Sequence, residues 1–304
     1  MDKPKVVVIC GPTASGKTKL GIDIANVING EIISCDSMQI YKKMDIGTAK
    51  PTKEEQSQAV HHLIDFVEPN ERYSVADFKI DAEKKIKDII QRGKTPILVG
   101  GTGLYINSLI YNINYKEDVF DEEYRKKLDN IELEIIYKKA LEIDPESMKK
   151  ISANDRKRIS RVLEIYHATG KTKTEIEKES RKEVMYDYKI FVLNMDREKL
   201  YERINKRVDL MIEAGLIEEV KSIINEYKDF PTAMQGLGYK EVVQYLNGDF
   251  SKEEMIEKIK QESRHYAKRQ LTWFRSYKNA KWLDTYDKNN VDIILEEIGE
   301  KNSW

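Results

Sequence analysis

Residues 11–18 read Gly-Pro-Thr-Ala-Ser-Gly-Lys-Thr, a full match to G-x-x-x-x-G-K-[ST]. In front of it, Val6 to Cys10 is a continuous apolar run rich in valine and isoleucine, which suits a strand buried on both faces. Behind it, a helical pattern runs from Lys17 to about Ile28. Strand, glycine turn and helix are the setting in which such a loop cradles phosphate. Its backbone N–H groups turn inward, Lys17 adds a mobile positive charge, and the Thr18 hydroxyl is placed to meet Mg²⁺. Glu31 to Ser34 and Thr95 to Val99 read as further buried strands. Between them, Asp77 to Arg92 is amphipathic, with Phe78, Ala82, Ile86 and Ile89 or Ile90 on one side and Gly93 at its end. The β-α-β-α-β alternation predicts an α/β fold: a P-loop NTPase-like parallel sheet flanked by helices.

The pattern changes after about Tyr115. From Lys116 to Val184 there is no strand signal, only charged helical patterns at 121–129, 132–143, 155–168 and 174–182. Strand character returns at Lys189 to Asn194, followed by four more helical patterns and a short strand near Trp282-Leu283. This predicts a core built from 1–116 and 185–304, interrupted by an all-helical insertion domain at 117–184. The 304 residues carry 52 Lys+Arg against 53 Asp+Glu, so a polyanion partner must be held by local basic patches. Two cysteines, Cys10 and Cys35, exclude a disulfide scaffold and a four-cysteine zinc site, and fit buried thiols in a reducing compartment. The uncharged stretch Thr95 to Tyr115 is long enough to cross a bilayer, but Pro96, Gly100, Gly101 and Gly103 break it into strand, turn and helix. No signal peptide is visible, so a soluble, cytoplasmic monomer without membrane contact is expected.

The strand Ile97-Leu98-Val99 runs into Gly100-Gly101-Thr102, where a hydrolytic P-loop protein normally places a metal-holding Asp. A loop that holds a phosphate chain without that carboxylate favours diphosphate as a leaving group over phosphoryl transfer. Ligands of open parallel sheets lie beyond the carboxyl ends of the strands. Asp36, at the end of the second strand, and Thr102 should therefore face the phosphate loop. Asp36 can be a general base, an outer-shell metal ligand or a helix N-cap. On the helical pattern 196–214, Leu200, Ile204, Arg207 and Met211 share one stripe, so Arg207 interrupts an apolar face and needs an anion, a carboxylate or a ligand, or must snorkel out to water. His61 and His62 are adjacent and lack ligand spacing; a structural role is expected, with Asp65 as a candidate orienting group. From Ser263 to Leu283 there are basic residues and aromatics but no acids. Helical spacing puts Arg264, Lys268, Arg275 and Lys278 on one side and Tyr266, Trp273 and Tyr277 on the other. The aromatic stripe reads as core. The basic stripe reads as a phosphate-facing surface or a solvated face. Arg156, Lys157, Arg158 and Arg161 form a second basic cluster, in which Asp155 can pair with Arg158.

In combination these blocks resemble the tRNA dimethylallyltransferase family over nearly the whole chain. Besides the phosphate loop they are Asp36-Ser37-Met38-Gln39-Ile40-Tyr41, Asp45-Ile46-Gly47-Thr48-Ala49-Lys50-Pro51, His61-His62-Leu63-Ile64-Asp65, Tyr73-Ser74-Val75-Ala76-Asp77-Phe78, Gly100-Gly101-Thr102-Gly103-Leu104-Tyr105, Asn154-Asp155-Arg156-Lys157-Arg158-Ile159, Gly236-Leu237-Gly238-Tyr239 and Lys268-Arg269-Gln270-Leu271-Thr272-Trp273-Phe274-Arg275. The resemblance implies transfer of a dimethylallyl group from dimethylallyl diphosphate to N6 of the adenosine beside the anticodon, with Mg²⁺. It implies Asp36, Thr102, Arg207 and Lys17 as catalytic residues, and Gly11, Pro12, Thr13, Ala14, Ser15, Gly16, Lys17 and Thr18 around the diphosphate. It implies tRNA contacts at Asp36, Ser37, Met38, Gln39, Thr102, Arg125, Lys157, Arg158, Ile159, Ser160, Arg161, Gly236, Gly238, Tyr239, Arg264, Lys268, Arg269, Gln270 and Arg275. For Gly236 and Gly238 a plain helix-start turn is an equal alternative. A small-molecule P-loop kinase, or an isopentenyltransferase acting on free adenylate, would need neither the basic segment 264–278 nor the helical insertion.

Overall fold

The computed structural model describes residues 3–113, 121–179 and 183–300. Six strands form one parallel sheet: β1 (Lys5–Cys10), β2 (Gly30–Ser34), β3 (His61–His62), β4 (Thr95–Gly100), β5 (Asp187–Asn194) and β6 (Lys281–Asp284), in the order β3-β2-β4-β1-β5-β6. Alternate side chains of each strand leave on opposite faces, as the strand period requires. Val6, Val8, Cys10, Ile33, Leu98 and Val192 meet Phe78, Ala82, Ile86 and Ile89 of the helix Val75–Gln91 on one face. Val7, Ile9, Ile32, Ile97, Val99 and Phe191 meet the helices Lys17–Val27 and Asn290–Ile298 on the other. A two-faced burial demand of this kind is why the strands read as continuous apolar runs and not as alternating ones.

Register places the site. Cys10 pairs with Gly100 and Val192, and Ser34 pairs with Val99. β1, β2 and β4 therefore end within one residue of each other while β5 runs two residues further, and the segments after β1, β2 and β4 leave from one edge. Consecutive β1 and β2 are separated in the sheet by β4, so the chain changes direction across the sheet beside β1, the place where open sheets leave a crevice.

Among the described residues the chain divides into two compact units, 1–110 with 185–304, and 111–184. The second is all helical, with Glu122–Asp129, Leu133–Ile143, Pro145–Met148, Arg156–Thr169 and Lys173–Glu179 around a core of Leu128, Ile136, Ala140, Ile159, Val162 and Leu163. Part of the helix expected over 174–182 lies outside the described residues. After β5 the described residues form five α-helices and a short 3₁₀ turn, Ala233–Gln235, in place of four helical patterns. Short β3 has no sequence signal of its own: two histidines carry no strand pattern, and pairing with β2 through Ile32↔His61 alone makes it a strand.

His62 is structural and His61 Nδ1 lies 2.8 Å from Ala59 O; Asp65 orients neither and binds the buried Lys50 ammonium at 2.8 Å. His62 Nε2 lies 2.7 Å from the buried Glu31 carboxylate. Glu31 also accepts from Arg92 Nη1 (2.5 Å), Arg92 Nη2 (2.8 Å) and Lys94 Nζ (2.8 Å). The Arg92 bonds, aided by Lys94 and His62, hold this carboxyl well below its ordinary value of 4.5, against the opposing effect of burial. Replacing Glu31 by Gln leaves Lys94 beside a neutral amide and Arg92 with Asp88 alone, and is expected to cost about 3 kcal/mol at neutral pH. A depressed native pKa gives stability that is full above 4.5 and is lost as pH falls below it. Urea melts of wild type and Glu31→Gln should therefore converge as the pH drops below that value; a gap that stays constant would contradict the ion cluster.

Candidate active site

The loop after β1 takes the shape its glycines predict. Ala14 and Gly16 both adopt positive φ, 63° and 87°, which turns successive amides to one side and makes an anion nest. Arg203 Nε donates to Ala14 O at 2.9 Å, and the Thr285 hydroxyl donates to Ser15 O at 3.2 Å, so the loop is braced from the helix Arg197–Glu213 and from the residue after β6. The Ser15 hydroxyl is buried with no partner among the described residues. Gly100 is required by closeness: a Cβ there would sit 2.2 Å from the Cys35 carbonyl oxygen. That approach lets Thr102 N–H donate to Cys35 O at 3.1 Å and puts the Thr102 hydroxyl 3.1 Å from Ser37 N, from which it accepts.

Asp36 is thereby tied to the turn after β4. Its Oδ1 accepts from Met38 N (2.9 Å) and Gln39 N (3.3 Å), but residues 37–40 form a turn and not a helix, so one oxygen holds a turn and the helix N-cap reading is corrected. Its Oδ2 makes no hydrogen bond among the described residues. Desolvation raises the pKa of Asp36; the two amides and Lys17 act in the opposite direction. Lys17 Nζ donates to Pro12 O at 2.6 Å, and burial together with the nearby Arg207 pushes its pKa down to about 8. Arg207 is half-buried and donates to Thr13 Oγ1 at 3.4 Å. No carboxylate lies within ion-pair distance of it among the described residues, so a structural salt bridge is not what holds it there. Burial, then Arg203, lower its pKa. Two desolvated cations facing one cavity make a site that favours an anion.

That cavity measures about 780 Å³ and is lined by Lys17, Thr18, Asp36, Gly101 and Arg207. A second, of about 310 Å³, has an apolar wall of Val208, Leu237 and Ile259. Thr13, Asp36, Thr48, Ala49, Arg207, Met211 and Tyr266 line both. Asp36 thus stands in the partition between a phosphate chamber and a more apolar one. No local pattern in the sequence points to Thr48 and Ala49 there. Gln39 Nε2 donates to both of their carbonyls, and Glu219 accepts from the amides of Asp45, Ile46 and Gly47.

The IPP transferase family model matches residues 39–277. A tRNA dimethylallyltransferase from Caldanaerobacter subterraneus is 49% identical, covering 97% of this chain and 96% of that protein. One from Acetivibrio thermocellus is 50% identical, covering 96% of each. The crystal structure of a tRNA isopentenylpyrophosphate transferase from Bacillus halodurans matches with TM-score 0.73 at 42% identity, over 98% of this chain and 97% of that one. A eukaryotic dimethylallyltransferase acting on tRNA matches with TM-score 0.83 at 31% identity, over 99% of this chain and 81% of that one. The chain belongs to the IPP transferase family.

In this IPP transferase several residues expected to touch tRNA have their side chains occupied elsewhere. Gln270 is buried: its Oε1 accepts from Thr13 N at 2.8 Å and its Nε2 donates to Gly101 O at 2.9 Å. Tyr239 is buried against Gly47 and donates to Glu219 at 2.6 Å. Ile159 and Ser160 are buried in the helical unit, and Arg125 and Arg161 both bind Glu164. Arg156 donates to the carbonyls of Leu128 and Ile131. Lys157 and Arg158 are exposed, with Arg158 paired to Asp155 as its spacing suggests. Gly238 opens the helix Tyr239–Leu246 at φ 91°, and a Cβ on Gly236 would strike Met38 at 2.5 Å, so both glycines serve turn and packing.

The C-terminal stripe also departs from its expected spacing. The helix Lys252–Phe274 buries Met255, Ile259, Ser263, Ala267, Gln270 and Phe274, and it ends before Arg275, Tyr277 and Lys278. Tyr277 is core, but Tyr266 lines both cavities and Trp273 is 38% exposed, its ring lying on Gly103. Lys268, Arg269 and Arg275 are exposed, whereas Arg264 is half-buried and donates to Asn205.

The depressed Lys17 pKa has a measurable consequence. An anion in the loop raises that pKa again, so binding near pH 8 must take up a proton. Calorimetry with inorganic pyrophosphate in buffers of different ionisation enthalpy should show more proton uptake in wild type than in Lys17→Met. Equal uptake by the two proteins would remove Lys17 as the titrating group.

Proposed function

We propose that the protein transfers the dimethylallyl group of dimethylallyl diphosphate to the exocyclic N6 of the adenosine beside the anticodon of tRNA, releasing diphosphate. The observation that carries this is the Asp36 carboxylate, with one oxygen free, in the wall between the phosphate chamber and its apolar neighbour. Gly100-Gly101-Thr102 stand at the end of β4 where a phosphoryl-transfer enzyme of this kind carries a carboxylate, which favours diphosphate departure.

An adenine amine is a weak nucleophile because its lone pair is shared with the ring. The allylic C–O bond must then be well advanced in breaking, and charge builds on the departing diphosphate. Lys17, Arg207 and the loop amides meet that charge where it develops. Thr102, tied through Ser37 to Asp36, is the group assigned to the bridging oxygen. As the C–N bond forms, Asp36 Oδ2 takes the N6 proton; desolvation makes it a stronger base than a surface aspartate. Thr18 lines the phosphate chamber beside Lys17. One hydroxyl, with phosphate oxygens and water, fits the ligand habit of Mg²⁺, and a bound Mg²⁺ would neutralise charge on the diphosphate. The target adenosine must leave its stack to reach Asp36. Exposed Lys268, Arg269 and Arg275 lie on the unit that carries the site, and Lys157 and Arg158 on the helical one. Buried free cysteines and a tRNA substrate support a cytoplasmic location; among the described residues no helix is long and apolar enough to cross a membrane.

Incubation with unmodified tRNA and labelled dimethylallyl diphosphate should label adenosine N6 in tRNA and leave free adenylate unlabelled. Asp36→Asn should keep tRNA affinity and lose about 10²–10⁴-fold in single-turnover rate. Label on free adenylate, or tRNA-stimulated ATP hydrolysis as fast as transfer, would overturn the reading.

Charge reversal at Lys268 and Arg275 together should weaken tRNA binding and reduce its salt slope by about 0.7–0.9 for each phosphate no longer neutralised. Diphosphate binding should not change, because neither side chain lines the cavity beside the phosphate loop. An unaltered slope would leave these side chains as solvated surface.

A further inference from the structure

Gln270 occupies a place that an RNA contact does not explain. It lies on the helix Lys252–Phe274, yet its side chain points inward and is 5% exposed. One end of its amide accepts from Thr13 N in the phosphate loop (2.8 Å), and the other donates to Gly101 O beside Thr102 (2.9 Å). The fit is close: a Cβ on Gly101 would lie 2.2 Å from Gln270 Nε2. Each bonded residue leads straight to the chemistry. Thr13 Oγ1 accepts from Arg207, and the residue after Gly101 is Thr102, bonded to Ser37 next to Asp36. The separation between the loop that holds the leaving group and the turn that carries the base is thus bridged by one amide.

We propose that Gln270 is a positioning residue that sets the spacing between the phosphate loop and the Thr102–Asp36 turn. This rests on the transfer reaction proposed above. Only an amide satisfies both bonds: Thr13 N–H needs an acceptor and Gly101 O needs a donor. A carboxylate keeps the first and repels the second. A methionine of similar shape offers neither bond. Because displacement of reacting groups by about 1 Å costs about 10²-fold in rate, the bridge should act on turnover and on the grip of the phosphate loop, and not on tRNA capture.

The test compares wild type, Gln270→Glu and Gln270→Met by three readouts: single-turnover transfer at saturating tRNA and dimethylallyl diphosphate, tRNA Kd by filter binding, and inorganic pyrophosphate Kd by calorimetry. Circular dichroism melts establish that each variant is folded at the assay temperature. The expected result is a transfer rate lower by about 10²-fold in Gln270→Met and by an intermediate factor in Gln270→Glu. The tRNA Kd should stay within about threefold, and pyrophosphate affinity should weaken in the same order as the rate. If Gln270→Met is folded and transfers at the wild-type rate, the positioning role is wrong. Weakened tRNA affinity with an unchanged saturated rate would return Gln270 to RNA contact. If wild type itself transfers nothing, the reaction proposed above fails, and the pyrophosphate series still decides whether Gln270 shapes the loop: equal affinities would overturn it.

Discussion

The Cys35 carbonyl lies where any side chain on residue 100 would have to go. That close approach brings the ends of β2 and β4 together, and the level registers of Cys10, Gly100 and Ser34 bring β1 to the same edge. The rest of the site follows from it. The Thr102 amide reaches the Cys35 carbonyl, its hydroxyl reaches Ser37, and Asp36 is left with one oxygen committed to the turn and the other turned free. A larger residue at 100 would separate Asp36 from the phosphate loop before it changed any charged group.

The second constraint is electrostatic. Lys17 and Arg207 are desolvated and pushed down in proton affinity, while Asp36 is desolvated and pushed up. Among the described residues no carboxylate pairs with Arg207, so the field in the phosphate chamber is left for a ligand anion to neutralise. Such an arrangement costs stability and is retained where charge develops during a reaction. The surrounding scaffold offsets that cost with satisfied networks. Glu219 takes three loop amides and the Tyr239 hydroxyl, Lys50 takes Asp45 and Asp65, and Glu31 gathers Arg92, Lys94 and His62.

The sheet and the phosphate loop are legible in the sequence because both depend on local pattern: continuous apolar runs and glycines at fixed spacing. Asp36 and Thr102 can be placed because strand ends share an edge in any parallel sheet. What the sequence hides are pairings between distant segments. Gln270 lies among Lys268, Arg269 and Arg275 and looks like part of a basic surface; only the fold shows its amide between Thr13 and Gly101. The same holds for Tyr239 with Glu219 and for Arg125 and Arg161 with Glu164. Helical spacing misplaces the aromatic stripe by about one step, because the buried face is set by Met255, Ile259, Ala267 and Phe274 and not by Tyr266 and Trp273. Arg203 does leave a trace: it lies one turn before Arg207 on the same helix, and two arginines on that face signal an electronegative neighbour, here the Ala14 carbonyl.

The proposed role of Asp36 as a desolvated base beside the phosphate loop is read out by the pH dependence of kcat/KM for tRNA, which reports the free enzyme. A base must be ionised, and burial raises this carboxyl above its ordinary value of 3.8. The account therefore predicts an acid limb in which activity falls as pH drops, centred above that value, and absent from the residual activity of Asp36→Asn. A flat profile through the acid range, or the same limb in Asp36→Asn, would contradict it.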